Sequence, residues 1–316
     1  MDIKRFPRRH RYFRSGMVAM ACALAVMLAG CPSMNQGLER HTLEHAGRQR
    51  VYHVYVPGVE EVTGSLPLVI ALHRFVEDGP AMARITGFNQ LADREGFFVT
   101  YPDGLMRNFE AYGTGSRDDI GFLRAMVDAI AEKHPVDRRR VYATGMSNGG
   151  FMALRLACEA PDLVAAVAPV MATLPENLAD ACRDGGPVPI LMIHGTADPV
   201  IPYEATEIEA GPGNPRAVLP VPETAALLAA RNGCTGETSE TALPDIDPND
   251  GTRTHVVHHH GCPDTAEVLL YRVEGGGHTW PGGREPWPGF IVGKTSRDFS
   301  ATEVIWEFFS RHSLPE

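Results

Sequence analysis

The sequence has no apolar run long enough to span a bilayer comfortably, no internal repeat and no surplus of positive charge. The run "MVAMACALAVML" (17–28) falls well short of the roughly 20 residues that a spanning helix needs. Without a repeat, the architectures built by stacking identical units are not expected. The formal net charge is −10, so nucleic acid and anionic lipid surfaces would find little electrostatic attraction. What remains is a globular composition, 44% hydrophobic and 22% charged, in 316 residues, enough for one large domain.

The first thirty residues depart from that average. Lys4, Arg5, Arg8, Arg9, Arg11 and Arg14 stand against Asp2 alone, so this segment carries +5 and the rest of the chain −15. A basic stretch, a short apolar run and a small-residue site form the pattern of a secretory signal. Its end, Leu28-Ala29-Gly30-Cys31, resembles the bacterial lipobox, in which the chain is cut before a cysteine that then takes lipid. The expected organisation is a signal over 1–30, a tether over 31–40 with lipid on Cys31, and a catalytic domain over 41–316. An ordinary cleaved signal, with Cys31 incidental, is the alternative. Pro32 follows the cysteine, where an aspartate would point to inner-membrane retention, so the outer membrane is the expected address.

Six cysteines then divide simply. Cys22 leaves with the signal and Cys31 takes lipid. Cys158, Cys182, Cys234 and Cys262 remain, an even number in an oxidising compartment. Four cysteines allow three pairings. The local pairs 158–182 and 234–262 are expected, because each closes a short loop, with free buried thiols as the alternative.

The hydrophobic pattern places the elements. "HTLEHAGRQRVYHVYVPG" alternates around an Ala-Gly turn and reads as a hairpin. Five short apolar runs, at 66–72, 96–102, 140–145, 163–170 and 188–195, read as buried parallel strands. Helical periods lie between them, at 82–94, 119–133 and 150–159. A helix over 222–231, a strand over 268–275 and a last helix over 300–312 complete an α/β fold with a mainly parallel sheet. Residues 235–261 are polar and read as an excursion from that sheet. Within them "DIDPNDG" (245–251) reads as a turn and "HVVHHHG" as a polar strand end. The first faintly resembles a calcium loop, but its glycine falls one position late and a proline interrupts it; the second lacks a helical i, i+4 pair or a nearby carboxylate, and no metal is expected.

One segment asks for chemistry. Gly145-Met146-Ser147-Asn148-Gly149 fits G-x-S-x-G between an expected strand and an expected helix. A serine on so sharp a turn needs glycine on both sides, and it sits at a helix N-terminus that favours developing negative charge. A serine also needs a base, and the base an orienting group. In an α/β-hydrolase these follow in the order Ser, Asp, His, each just past a strand. Asp198 follows the strand "VPILMIHG" and His278 follows "VLLYRVEG". Asp103, Asp118 and Asp119 precede the serine, the wrong order, and the last two read as a helix cap. His73 and His194 end strands and read as structural. One oxyanion donor should be the Asn148 N–H, the other an N–H from the loop Leu72-His73-Arg74-Phe75.

"GMSNGG", "IHGTADPVIPY", "RVEGGGHTWPGG" and "DFSATEVIWEFF" resemble the secreted polyhydroxybutyrate depolymerase-like and LpqC-like esterases. These are α/β-hydrolases related to feruloyl and acetyl xylan esterases. The resemblance runs from about residue 66 to 312. It implies Ser147 as nucleophile, His278 as base and Asp198 as its partner, and it supports the two local disulfides. Many members have His-Gly where this chain has His73-Arg74. Phe75 is therefore expected as the second donor, and the Arg74 side chain is left to face solvent or substrate. Trp280, with Trp287 and Phe75, is expected either to bind an aromatic or sugar-linked acyl group or to pack the rim.

The expected activity is ester hydrolysis through an acyl-enzyme, with no metal or organic cofactor. Hydroxyalkanoate oligomers and feruloyl or acetyl esters are the expected substrates. No separate polymer-binding domain is visible, which favours soluble oligomers and small esters over crystalline polymer. A serine peptidase of the same fold and a non-catalytic envelope lipoprotein are the alternatives.

Overall fold

The computed structural model describes residues 37–59, 64–115, 117–211, 213–263 and 266–315. The expected signal, Cys31 and most of the expected tether lie outside the described residues. From Leu38 onward the chain forms one compact unit. It opens with a hairpin, β1 (Leu38–His45) and β2 (Arg48–Tyr55). The turn residues Ala46 and Gly47 both have positive φ, 48° and 70°, the conformation that matches strand twist in a two-residue hairpin. Pairing begins at Leu38 opposite Tyr55, so the last three residues of the expected tether belong to the sheet.

The strand–helix alternation then follows. β3 (Leu66–Leu72) leads to α1 (Gly79–Thr86) and α2 (Phe88–Glu95), and β4 (Phe98–Pro102) to α3 (Asp119–Ala131). β5 (Val136–Met146) leads to α4 (Asn148–Glu159), β6 (Ala166–Val170) to α5 (Ala179–Asp184), and β7 (Ile190–Gly195) comes next. A small ribbon of β8 (Glu207–Glu209) and β9 (Pro215–Ala217) precedes α6 (Val221–Arg231). The chain closes with β10 (Thr238–Ala242), β11 (Arg253–His259), β12 (Val268–Glu274), α7 (Gly289–Val292) and α8 (Ala301–Phe309).

Ten strands form one sheet in the order β1-β2-β4-β3-β5-β6-β7-β12-β11-β10. The six from β4 to β12 run parallel, and antiparallel pairs finish each edge. The apolar runs are continuous because both faces are covered. On β3, Leu68, Ile70 and Leu72 enter one core and Val69 and Ala71 the other. On β5, Val141 and Ala143 oppose Tyr142 in the same way, the period of two expected of a strand.

Two expectations need correction. The single helix over 82–94 is two helices, broken at Gly87 with φ 69°; its N–H closes α1 on the Ala83 carbonyl. Glycine adopts that left-handed backbone without strain, and it is a poor helix-interior residue. The segment 235–261 is not an excursion, because β10 and β11 extend the sheet beyond β12. The polar strand end expected at "HVVHHHG" is β11 itself. The carboxylates of the expected turn have protein partners: Asp245 pairs with Arg253, Asp247 accepts from Asn249 N–H, and Asp250 from those of Thr252 and Arg297.

Other expectations hold. Asp118 caps α3, accepting the Gly121 N–H, whereas Asp119 is buried and binds Arg50 and the Glu110 N–H instead of capping. The disulfides are Cys158–Cys182 and Cys234–Cys262, at sequence separations of 24 and 28. Loops of that size restrict the unfolded chain by roughly 3 kcal/mol each in the chain-entropy picture.

Candidate active site

β5 runs to Met146 and α4 begins at Asn148, so Ser147 stands alone between strand and helix. Its φ of 54° and ψ of −120° are uncommon for any residue but glycine. Its N–H donates to the Val170 carbonyl at 2.9 Å, tying the turn to β6. Its hydroxyl is not spent on capping the helix. The flanking glycines are obligatory. A Cβ on Gly149 would run into the Leu72 carbonyl, and one on Gly145 would lie 2.5 Å from the Gly149 carbonyl group. The helix thus starts two residues earlier than periodicity suggested, and glycine permits that close approach to β3.

Asp198 and His278 follow neighbouring parallel strands, β7 and β12, at the same carboxyl edge. Asp198 is buried. Its Oδ1 accepts the Val200 and Ile201 N–H groups, both at 2.8 Å, and its Oδ2 lies 2.7 Å from His278 Nδ1. With Nδ1 donating to a carboxylate, Nε2 is the imidazole nitrogen left to carry a proton to and from a reacting group. His278 is held from behind, its N–H donating to the Val292 carbonyl at the end of α7. β5 lies two strands from β7, roughly 10 Å at ordinary strand spacing, so the loops must lean together over the sheet edge. Among the described residues no hydrogen bond joins the Ser147 hydroxyl to His278, and such contacts are often loose in a free enzyme.

His194 is fully buried beneath this pair. Its Nε2 donates to the Ile201 carbonyl at 2.8 Å and lies 3.7 Å from Asp198 Oδ2, so it steadies the Asp198 loop. Burial pushes its pKa below the ordinary histidine value. It is structural, as expected.

The two candidate oxyanion donors are fixed differently. The Asn148 N–H heads α4, where no intrahelical acceptor exists. Its side chain is buried and spans the Phe109 N–H and carbonyl, locking the loop after β4 against the turn. Phe75 is oriented through its neighbours. His73 Nδ1 donates to the Arg74 carbonyl at 2.8 Å, while its Nε2 accepts the Gly104 N–H at 2.9 Å. The Glu77 N–H also donates to that carbonyl. Across a trans peptide the C=O and N–H point oppositely, so anchoring the Arg74 oxygen inward turns the Phe75 N–H outward. Among the described residues neither the Asn148 nor the Phe75 N–H has an acceptor. Burial holds the His73 pKa below its ordinary value, in keeping with one nitrogen donating and the other accepting.

Two expected substrate contacts are misplaced. Arg74 faces neither solvent nor an open cleft. Its side chain is buried, bound to Glu285 through both terminal nitrogens and paired with Glu77. Trp280 is 1% exposed, with Nε1 donating to Thr302 Oγ1 and its ring edge-on to Phe88. Two residues past His278 the chain already dives under α8, so Trp280 is core. Among the described residues the exposed aromatics are Phe75, Trp287 and Phe290, with Met106 and Val200 on other loops of the same sheet edge. Reading the sequence missed the importance of His73 and Glu285. The only signal for His73 was its place directly after a buried strand; Glu285 had none.

The family model described as Esterase PHB depolymerase matches residues 50–233. NocK of Nocardia uniformis subsp. tsuyamanensis, a protein assigned by its name to the esterases, is 36% identical over 279 residues, covering 83% of this chain and 80% of its own. Feruloyl esterase B of Piromyces equi is 28% identical over 228 residues, which are 70% of this chain but only 41% of that protein. Among solved structures, an acetyl xylan esterase from Aspergillus awamori is similar in fold, with a TM-score of 0.55 at 17% identity over 87% of this chain and 99% of its own.

Proposed function

The chain belongs to the polyhydroxybutyrate depolymerase family of esterases and is a carboxylic ester hydrolase, and we propose that Ser147, His278 and Asp198 carry its reaction. The supporting observation is a serine on a strained strand–helix turn, its hydroxyl uncommitted, above the same sheet edge as a buried 2.7 Å carboxylate–imidazole pair. Ser147 Oγ attacks the ester carbonyl as His278 Nε2 takes the hydroxyl proton. The carbonyl oxygen becomes an oxyanion held by the N–H groups of Asn148 and Phe75. When the intermediate collapses, the C–O bond to the alcohol breaks and His278 returns the proton to the leaving alkoxide. Water then attacks the acyl-enzyme as His278 takes one of its protons; the bond from Ser147 Oγ to the acyl carbon breaks, His278 returns the proton to Oγ, and the carboxylic acid leaves. Asp198 holds the imidazole tautomer and balances its charge when it is protonated.

The substrate reading follows from the mouth. Phe75, Met106, Val200 and Trp287 are exposed on segments that follow β3, β4, β7 and β12, and Phe290 is exposed on α7. Apolar surface there favours esters with apolar or aromatic acyl groups. Hydroxyalkanoate oligomers and feruloyl or acetyl esters are the proposed classes. The similarity to a feruloyl esterase supports the second and the family description the first. Two disulfides suit export to an oxidising compartment. Lipid on Cys31, anchoring the domain at 41–316 to the cell envelope, is the proposed address.

The test is a fluorophosphonate label on wild type and Ser147→Ala, with turnover on p-nitrophenyl acetate, methyl ferulate and 3-hydroxybutyrate oligomers. Wild type should label, the variant should not, and turnover should fall on the order of 10⁴–10⁶-fold. Equal turnover in the variant would dismiss Ser147.

A further inference from the structure

We infer that Arg74 is a positioning residue, a buried cationic clamp that binds the candidate oxyanion loop to the loop following the candidate base and so sets where the Phe75 N–H points. This rests on the reading of Ser147 and Phe75 given above. The guanidinium grips Glu285 in a fork, Nη1 to Oε2 at 3.1 Å and Nη2 to Oε1 at 3.2 Å. Its Nε lies 2.8 Å from Glu77 Oε1, an ion pair off the line of a hydrogen bond. Nη1 also reaches Met146 Sδ at 4.0 Å, on the residue just before Ser147. One side chain therefore touches the turn that carries the serine, its own loop, and the stretch between His278 and α7.

The far side of the clamp is anchored too. Glu285 Oε1 accepts the Trp287 N–H at 2.8 Å, and Trp287 Nε1 lies 3.4 Å from Glu77 Oε1. The chain then enters α7, whose last residue, Val292, accepts the His278 N–H. All three charged side chains are about nine-tenths buried, at 6%, 11% and 10% exposure. Charges so buried are held by geometry that neither surface ion pairs nor lysine would reproduce.

A second observation shows what the clamp restrains. Val76, between Arg74 and Glu77, has φ 62°. A β-branched residue in the left-handed region is an outlier, and it persists only where its surroundings over-determine it. Here the Val76 N–H is tied to the Arg107 carbonyl, the Arg74 carbonyl to His73, and the Arg74 side chain to Glu77 and Glu285. His73 sets the peptide plane from below. Arg74 stops the loop from relaxing toward solvent. The clamp acts on donor geometry and touches no substrate.

The experiment compares Arg74→Ala, Arg74→Lys and Glu285→Gln with wild type and Ser147→Ala. It measures kcat and KM on p-nitrophenyl acetate and the Ki of a trifluoromethyl ketone, which forms a tetrahedral adduct on the nucleophile. A whole oxyanion donor is worth about 10²–10³-fold in kcat, so loosening one should cost about 10- to 100-fold in R74A and less in E285Q. KM should stay within about twofold, Ki should weaken by the same factor as kcat, and R74K should recover only part. A merely structural role would lower the melting temperature without coupling Ki to kcat. If R74A does not fold, E285Q, which keeps shape and removes one charge, decides. Folded variants with wild-type kcat, a loss confined to KM, or a kcat loss without a matching Ki change would overturn the inference. Ser147→Ala separates the two readings. If it stays active, the assignment of Ser147 fails. If it is dead while R74A and E285Q behave as wild type, only the clamp fails.

Discussion

Adding one methyl group at Gly145 should damage the site from the inside. The new Cβ would sit 2.5 Å from the carbonyl carbon and oxygen of Gly149 and 2.8 Å from Leu72 Cβ. Each obstacle is backbone or a Cβ, so no side chain can rotate away. To reach ordinary contact distance, the start of α4 must part from the ends of β3 and β5 by roughly 1 Å, an overpacking that costs about 1–3 kcal/mol of stability. The same shift separates Ser147 and the Asn148 N–H from the loop that carries Phe75. A misplacement of about 1 Å costs on the order of 10²-fold in rate, or about 2.7 kcal/mol of barrier. The measurement pairs urea unfolding by circular dichroism with kcat/KM on p-nitrophenyl acetate, normalised to sites titrated with a fluorophosphonate. Gly289→Ala is the control. It lies at the start of α7, has nothing within 4 Å of the added carbon and no left-handed φ. It should move stability by less than about 0.5 kcal/mol. If Gly145→Ala matched wild type in both stability and rate, the steric account of the turn would be wrong.

Stability should fall as pH drops through the histidine range. His73 and His194 are buried with pKa values pushed below the ordinary 6.5, so below that value the unfolded chain binds protons that the fold refuses. Each steepens the dependence in that window, by at most about 1.4 kcal/mol per pH unit, and protonated His73 would also set an N–H against the Gly104 N–H. His73→Gln should flatten the dependence of unfolding free energy on pH below about 6.5, and an unchanged slope would refute it. For the envelope address, a radiolabelled fatty acid fed to expressing bacteria should enter the wild-type chain and not Cys31→Ala. Equal labelling of both would remove the anchor.

The candidate site was legible because its residues are set locally. Ser147, Asp198 and His278 each follow an apolar run closely, and glycines at 145, 149 and 277 mark the places where backbones crowd. Buried parallel strands announce themselves by continuous hydrophobicity, so β3, β5 and β7 stand where their sequences suggest. β10 was invisible for the converse reason. All five of its residues are exposed, and an edge strand held by backbone hydrogen bonds and surface pairs such as Glu240–Arg272 needs no hydrophobic pattern. Gly87 was misread because a helical period survives one interruption, while φ is a property of the folded backbone.

The sequence by itself determined the sheet's central strands and the order and setting of Ser147, Asp198 and His278, since these depend on neighbours in the chain. Only the tertiary structure decided where Arg74 and Trp280 go. Arg74 meets Glu285 211 positions away, and Trp280 finds Phe88 and Thr302 under a distant helix. A side chain's direction is set by whichever partner the fold brings within a few ångströms. A charged residue in a loop turns inward when two carboxylates arrive to meet it, and an aromatic residue beside the candidate base turns to the core when the core has room for it.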